Sequence, residues 1–535
     1  MAHFNLFRSQ PQAPATDTVN KAGGKAYSLG AEAALAQLCL TGTFNQTYYS
    51  QGADQLDQIL KVSQQVTPAY LAQLALYSRQ NGLMKDTPAL LCAILAARSV
   101  PHLELVIHGV IDNGKMLRNF VQMVRSGVTG RRSLGSAPRR LVRQWFDRAS
   151  DWQLLNASVG TRPSLADIIK MVHPTPKDPT REALYAYFLK KPHRQDDLPE
   201  VVQALEAFRT NGCGPLPKAP FNLLTGLSLQ AEHWKELAIQ STWQTTRLNL
   251  NSFVRHGVFQ NGLRFSDKKL TQLIANRLKN PTEIRKAKVF PYQLMTSYLH
   301  ASKEVPKAVR LALQEAMETA TENVPKIEGN IAIGVDVSGS MHSSVTGYRA
   351  GATSKMSCLD VASLIAAVIL RKNPEAELIP FSDNIPKHDL NPFDSIMTNA
   401  EKLSKLPWGG TDCSLPPRYL NRKGAEIDAL IMLSDNESWI DTENRRSWNP
   451  GTKVMKEWER LKKANPQAKL VCLDLQPNTH TQAPTRSDIL NIGGFSDQVF
   501  QVIRDFLTSK GDAAEQLTKT IKSTPIPELM EPATI

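Results

Sequence analysis

The stretch Ile331-Ala-Ile-Gly-Val-Asp336-Val-Ser338-Gly-Ser340-Met341 limits the possible folds more than any other part of the chain. An unbroken apolar run closed by an acid fits a strand buried on both faces of a parallel sheet, and such sheets hold their ligands at the carboxyl ends of their strands. Asp-x-Ser-x-Ser then places three hard oxygen donors on one loop. Two later segments carry matching chemistry: Trp408-Gly-Gly-Thr411-Asp-Cys-Ser, and Ala429-Leu-Ile-Met-Leu-Ser434-Asp435-Asn, a second apolar run ending in an acid. Asp336, Ser338, Ser340, Thr411 and Asp435 are therefore the candidate ligands of a divalent ion, expected to be Mg2+, because hard cations take carboxylate, hydroxyl and water oxygens.

A lone Asp-x-Ser-x-Ser would more simply make a turn. With all three elements present, in this order and each with its lead-in, the arrangement resembles the metal-ion-dependent adhesion site of von Willebrand factor A domains. In other A domains a partner's carboxylate often completes the ion's coordination, so the resemblance implies a possible protein ligand at this site.

The surrounding sequence alternates strands and helices. Strands are expected at Asn330–Val337, Ala376–Phe381, Asp428–Ser434 and Lys469–Leu475, and helices at Leu359–Lys372, Val454–Lys463 and Asp497–Thr508, the last with Val499, Phe500, Ile503 and Leu507 as its apolar stripe. Alternation of this kind predicts an α/β, Rossmann-like domain over residues 330–510 with a mostly parallel sheet. Residues 511–535 read as a C-terminal tail.

Before residue 330 the pattern is helix after helix. Thr67-Pro68 and Thr87-Pro88 each read as an N-cap followed by proline in the first turn, with a break at Gln80-Asn-Gly82. Further helices are expected over Ser164–His173, Thr180–Lys191 and Leu198–Arg209, the last stopped by Asn211-Gly212. The chain is thus read as multidomain, with an all-α, HEAT-like repeat region over residues 20–325 ahead of the α/β domain.

Charge divides the chain at the same place. Of the net +13, residues 1–329 hold 40 Lys and Arg against 25 Asp and Glu, while residues 330–535 hold 23 against 25. The densest stretch runs from Lys115 to Arg148 and contains Arg125, Arg131, Arg132, Arg139, Arg140 and Arg143; a second spans Arg255–Lys288. Such a field attracts polyanions, and arginine suits phosphate better than lysine does.

Other classes are disfavoured. There is no secretory signal pattern and no apolar run long enough for a membrane span, so a cytoplasmic location without membrane association is expected. Cys39, Cys92, Cys213, Cys358, Cys413 and Cys472 form no Cys-x-x-Cys pair, which argues against a disulfide framework or a thiolate zinc site. Ser338 lies in no Gly-x-Ser-x-Gly elbow and no phosphate-binding Gly-x-x-x-x-Gly-Lys loop occurs, so the chain is not read as an enzyme. A metal nuclease, with Asp412 joining Asp336 and Asp435, and a metal-dependent protein-docking module are the alternatives.

Several strings carry a closer resemblance: Gly42-Thr-Phe-Asn-Gln-Thr-Tyr-Tyr49, Ile168-Ile-Lys170-Met-Val-His173-Pro, Phe290-Pro-Tyr-Gln-Leu, Pro380-Phe-Ser-Asp, Gly409-Gly-Thr-Asp-Cys-Ser-Leu-Pro416, Ser434-Asp-Asn-Glu437 and Val502-Ile-Arg-Asp-Phe506. Together they resemble the TROVE family of Ro autoantigen-like proteins, from about residue 20 to residue 510. The resemblance implies a ring of helical repeats that binds small noncoding Y RNAs on its basic surface and takes single-stranded ends of misfolded RNAs, for RNA quality control or degradation with an exoribonuclease. It also implies RNA contacts at Lys170 and His173, and it extends to Arg247-Leu-Asn-Leu-Asn251-Ser-Phe-Val-Arg255-His256, where Arg247 and His256 are candidates. The loop His342–Ser357 and the segment Lys387–Asp394 look inserted; they read first as tolerated surface loops, with a place near the metal site, where they would gate it, as the alternative.

Overall fold

A computed structural model describes residues 13–212, 214–259, 265–287, 291–322, 324–348, 356–440, 451–494, 498–509 and 515–527, and the chain separates into two compact units. The strands among these residues are β1 (Thr18–Val19), β2 (Lys25–Ser28), β3 (Ile331–Asp336), β4 (Glu377–Phe381), β5 (Ala429–Ser434), β6 (Lys469–Asp474), β7 (His480–Thr481) and β8 (Ile489–Gly493).

Five strands form a wholly parallel sheet in the order β4-β3-β5-β6-β8. Every residue of β3 and β5 is buried, as their unbroken apolar sequences require. Gly334 lets these layers close: a Cβ there would lie 2.7 Å from Met432 Sδ and 3.1 Å from Pro416 Cγ. Phe381, Leu430, Met432, Met455 and the wholly buried Trp458 pack in one core cluster. The chain passes from β3 outward to β4, then returns across β3 to lay down β5. The winding therefore reverses between β3 and β5, and the crevice above their carboxyl ends is the ligand position of an open sheet.

The expected strands and helices occur within about a residue of their predicted bounds, but β8 and the helices Ile396–Ser404 and Leu415–Lys423 were not anticipated. In the helix Gln498–Thr508, Phe506 is fully buried and Leu507 only half-buried, so the stripe closes on Phe506. The segment Lys387–Asp394 does not approach the candidate ligands. His388 Nε2 lies 3.1 Å from Leu378 O, and Arg371, at the end of helix Cys358–Lys372, donates to Phe393 O at 2.9 Å, which holds this segment at the amino-terminal edge of the sheet.

The helical region begins later than residue 20. Residues up to Val66 cluster with the α/β unit. β2 pairs antiparallel with β1 and with β7, Tyr27 lying opposite Thr481. The helix Ala31–Thr41 buries Leu35, Ala36, Leu38 and Cys39 completely, so it lacks the solvent face of a surface helix and packs beside β8. Within the expected tail, Gln516–Lys522 is helical and Lys522 pairs with Glu32 at 2.7 Å; residues 528–535 lie outside the described residues.

The other unit is all helix. Thr67 caps Pro68–Gln80 by accepting from Tyr70 N, whereas the next helix starts at Asp86, one residue before Thr87. Ser164 and Asp167 form a capping box on Leu165–Val172, and Gly212, at φ 65°, ends Glu200–Asn211 in the left-handed conformation.

Arginines close the helix ends in this unit. Arg181 donates to Phe146 O at 3.1 Å and Ala149 O at 3.0 Å, Arg277 to Ala238 O and Ile239 O at 2.7 Å each, and Arg118 to Ala157 O at 2.7 Å. Each meets the carbonyl end of a neighbouring helix, where a cation also complements the helix dipole. Arg181→Met should cost about 2–4 kcal/mol, since it strips two buried carbonyls of charged donors. Urea denaturation of the full chain checks this; a loss under about 1 kcal/mol would mean that those carbonyls find other partners.

Candidate metal centre and nucleic-acid interface

β3 and β5 deliver the two acids to neighbouring positions at the switch point. Asp336 is fully buried; its Oδ1 accepts from Ser338 N at 2.9 Å and its Oδ2 from Ser434 Oγ at 2.7 Å. Ser338 Oγ and Ser340 Oγ lie 3.3 Å apart. Asp435 is 1% exposed; Oδ1 accepts from Glu437 N at 3.3 Å, and Oδ2 has no hydrogen-bond partner among the described residues. Backbone bonds tie the three loops together, from Gly339 N to Gly409 O at 3.1 Å and from Trp439 N to Thr411 O at 3.0 Å. Asp336, Ser338, Ser340, Thr411 and Asp435 thus converge on one end of the sheet, all buried.

Burial pushes both carboxyls above the ordinary carboxylate range, and the charge of Asp336 pushes Asp435 further. A buried carboxylate oxygen without a donor, beside a second acid and two hydroxyls, is the chemistry of a hard cation site: the donors are all oxygen and the missing component is positive charge. Among the described residues no three His, Cys, Asp or Glu side chains converge to hold a metal by themselves. Asp412 is engaged elsewhere, accepting from Ser414 N at 3.0 Å and pairing with Arg418 at 3.3 Å.

A second acidic layer lies behind. Glu437 is fully buried against His480 Nε2 at 2.9 Å, and Asp474, pushed up to about 8 by burial, accepts from Gln476 N at 2.9 Å and Asn478 Nδ2 at 3.0 Å.

In the helical unit the predicted basic residues divide by environment. Arg131 donates to Ala96 O at 2.7 Å and Leu134 O at 3.3 Å, and Arg143 Nε donates to Val172 O. Arg247 is 4% exposed and donates to Gln293 O and Ser297 Oγ, both at 2.7 Å; it is an internal brace, a correction to its reading as a surface contact. Arg140 pairs with Glu104 at the surface. Arg125, Arg132, Arg139 and Lys170 are exposed and form no hydrogen bond or ion pair with a described residue. Arg125 and Lys170 both face Asp167, whose carboxyl is held below its usual range chiefly by Ser164 and further by these two cations. His173 is exposed at the end of the same helix with φ 49°. Arg125, Lys170, His173 and the Arg143 brace therefore gather around Leu165–Val172. His256 lies apart, stacked 3.9 Å from Trp234 with the rings 2° from parallel.

Two features escaped the sequence reading. A cleft of about 650 Å3 in the helical unit is lined by Trp152, Asn156, Lys218, Phe221, Asn222 and Thr245 among others; Trp152 is 46% exposed. At the metal end, Trp439 Nε1 donates to Tyr49 Oη at 3.1 Å.

An open parallel sheet carrying these three loops at its switch point makes the α/β unit a von Willebrand factor A-type domain. Residues 330–507 match the Ro60 vWA domain. The chain is 24% identical over 524 residues to the RNA-binding protein RO60 of Deinococcus radiodurans, covering 91% of this chain and 94% of that protein. It is 23% identical over 303 residues to RNA-binding protein RO60 of Caenorhabditis elegans, covering 53% of this chain and 44% of that one. The crystal structure of the D. radiodurans RO (RSR) protein shares the fold at a TM-score of 0.61, with 20% identity, 89% of this chain and 99% of that chain covered. The chain is thus similar to RNA-binding RO60 proteins along most of its length, and residues 330–507 match their vWA domain.

Because the raised carboxyls bind protons in the folded state, their contribution to stability is present below the unfolded value near 3.8 and lost as pH rises through the folded values. In chelator, the α/β unit should lose stability as pH rises above about 4, and Asp435→Asn should exceed wild type at pH 8 by about 1 kcal/mol or more. Thermal melts across pH check this; an Asp435→Asn protein less stable than wild type at pH 8 would overturn it.

Proposed function

We propose that this chain is an RNA-binding scaffold of the Ro type, acting in the cytoplasm without catalysis. The observation that carries the reading is the exposed set Arg125, Arg139, Lys170 and His173, whose side chains form no hydrogen bond or ion pair with a described residue, Arg125 and Lys170 reaching only the field of Asp167, while neighbouring arginines are engaged in closing helices. The RNA-binding names of its relatives support it. A small structured noncoding RNA, Y-like in kind, would lie on this surface through its phosphates. Single-stranded ends of misfolded RNAs fit the other feature, the cleft in which the exposed Trp152 offers a stacking face beside the Lys218 cation. Such a scaffold would present RNA to an exoribonuclease in quality control. Among the described residues no helix is long and apolar enough to cross a membrane.

The metal site is part of the same proposal: Asp336, Ser338, Ser340, Thr411 and Asp435 would hold Mg2+, which supplies the positive charge that the buried carboxylates lack. A second reading, metal-dependent protein docking, is favoured by Trp408 and Trp439, exposed at 67% and 48% on the ion-site loops, since exposed aromatics are the usual anchors of an interface. The nuclease alternative loses its third carboxylate to the Asp412–Arg418 pair.

Fluorescence titrations of RNA against salt test the scaffold. Joint reversal of Arg125, Arg139 and Lys170 to Glu should weaken structured-RNA binding and reduce the log–log salt slope by about 0.9 for each phosphate that is no longer neutralised. An unchanged slope would remove this surface from the proposal. Trp152→Ala should weaken a single-stranded oligonucleotide by about 5- to 100-fold, in line with the removal of the stacking face for one base. Asp336→Ala should leave both affinities within about twofold, well under the 1.4 kcal/mol of a tenfold change; a collapse of RNA binding in folded Asp336→Ala would join the two sites and contradict this division.

A further inference from the structure

The segment before the helical region supplies a side chain to the ion site that the five-residue motif does not include. Tyr49 Oη accepts from Trp439 Nε1 at 3.1 Å, and its phenol also meets the Ser340 side chain and feels the Asp435 charge. A phenol that accepts one N–H keeps its own O–H to give. The polar groups placed to receive it are those of the ion site.

Tyr49 is held there by a built contact. Tyr348 N donates to Gln46 O at 2.6 Å, Thr43 Oγ1 donates to Thr346 O at 2.6 Å, and Asn45 Nδ2 donates to the same carbonyl at 2.8 Å. Gly347 allows the approach: its φ is +72°, and a Cβ there would fall 2.7 Å from Asn45 Cβ and 2.8 Å from Gln46 O. Residues 344–348 belong to the loop that follows Asp-x-Ser-x-Ser, so residues 43–49 lie against the first ion loop. The loop carrying Asp435 is held from another direction by the same N-terminal segment: Asn20 Nδ2 donates to Ser438 O at 3.1 Å and Ala22 N to Glu437 Oε2 at 3.2 Å, while Lys21 Nζ donates to Pro477 O at 2.9 Å on the loop after β6.

We propose that Tyr49 is this chain's own occupant of the ion site's outer face, so that a bound divalent cation latches residues 43–49 onto the α/β unit in cis. The inference rests on the metal reading above. It gives the site an internal function, and it means that a partner's carboxylate reaches the ion only after Tyr49 withdraws. It also assigns residues 344–348 a purpose, as the surface on which the latch closes.

Hydrogen–deuterium exchange of the full-length protein, with Mg2+ or with chelator, tests it on two peptides, one covering residues 331–341 and one covering residues 43–50. Wild type should show slower exchange with Mg2+ in both. Tyr49→Phe, which keeps the ring and removes the hydroxyl, should retain Mg2+ protection in 331–341 and lose it in 43–50. Asp336→Ala should lose both. Protection of 331–341 alone in wild type, or equal protection of 43–50 in Tyr49→Phe, overturns the latch and leaves the metal site standing. Absence of any Mg2+ effect on 331–341 overturns the metal site and the latch together.

Discussion

Two acids that repel one another, buried side by side at the reversal point of a parallel sheet, are the constraint around which the α/β unit is arranged. Sheet topology brings them there: β3 and β5 are hydrogen-bonded neighbours, β3 ending in Asp336 and Asp435 directly following β5. Asp336 has both oxygens satisfied by Ser338 N and Ser434 Oγ, while Asp435 keeps one without a donor. In a medium of low dielectric that asymmetry leaves proton uptake or cation binding as the available remedies. The Glu437–His480 pair and Asp474 form a further layer behind, and the mostly buried Lys21, from the N-terminal segment, adds positive charge near it. Burial lowers the Lys21 amine, and the surrounding carboxylates oppose that shift.

Charge in the helical unit obeys a different logic. A helix ends in carbonyls without intrahelical donors, and a stack of helices buries many such ends. Arg118, Arg131, Arg143, Arg181 and Arg277 answer them, each from a different helix or loop, and Arg247 does the same for a carbonyl within a helix. Much of the arginine excess of residues 1–329 is thus scaffolding. The part left exposed, which includes the side chains around Leu165–Val172 and along Ser136–Arg148, remains to attract a polyanion. Net charge overstates the binding surface, and burial corrects it.

The same distinction explains what could be read from the sequence. The four central strands and the five oxygen donors were legible because an apolar run ending in an acid has few other uses. β8 was not, because Asn491 interrupts its apolar run; at the sheet's edge that amide donates to Ala483 O at 3.0 Å and its oxygen accepts from Thr481 Oγ1 at 2.6 Å. Pro416 and Pro417 hid the helix Leu415–Lys423, although proline is tolerated in a first turn. Exposed Arg139 and buried Arg247 look alike in a sequence, since the carbonyls that engage Arg247 come from residues far along the chain. The placing of residues 20–66 in the helical region departs from the structure for a related reason: the apolar helix Ala31–Thr41 announces that it is buried, but not against what.

That last point changes the meaning of the chain's order. With Met1–Val66 and Thr321–Ser523 in one unit, most of the helical region lies in sequence between two parts of the α/β unit. Ordering a loop costs conformational entropy, roughly 1–2 kcal/mol for each residue fixed, so the loop at residues 43–49 stays ordered only where its hydrogen bonds and packing offset that cost. Those hydrogen bonds reach the loop at 344–348 and the Trp439 indole, both of which adjoin the buried acids. Residues 43–49 therefore share their anchoring loops with the buried acids.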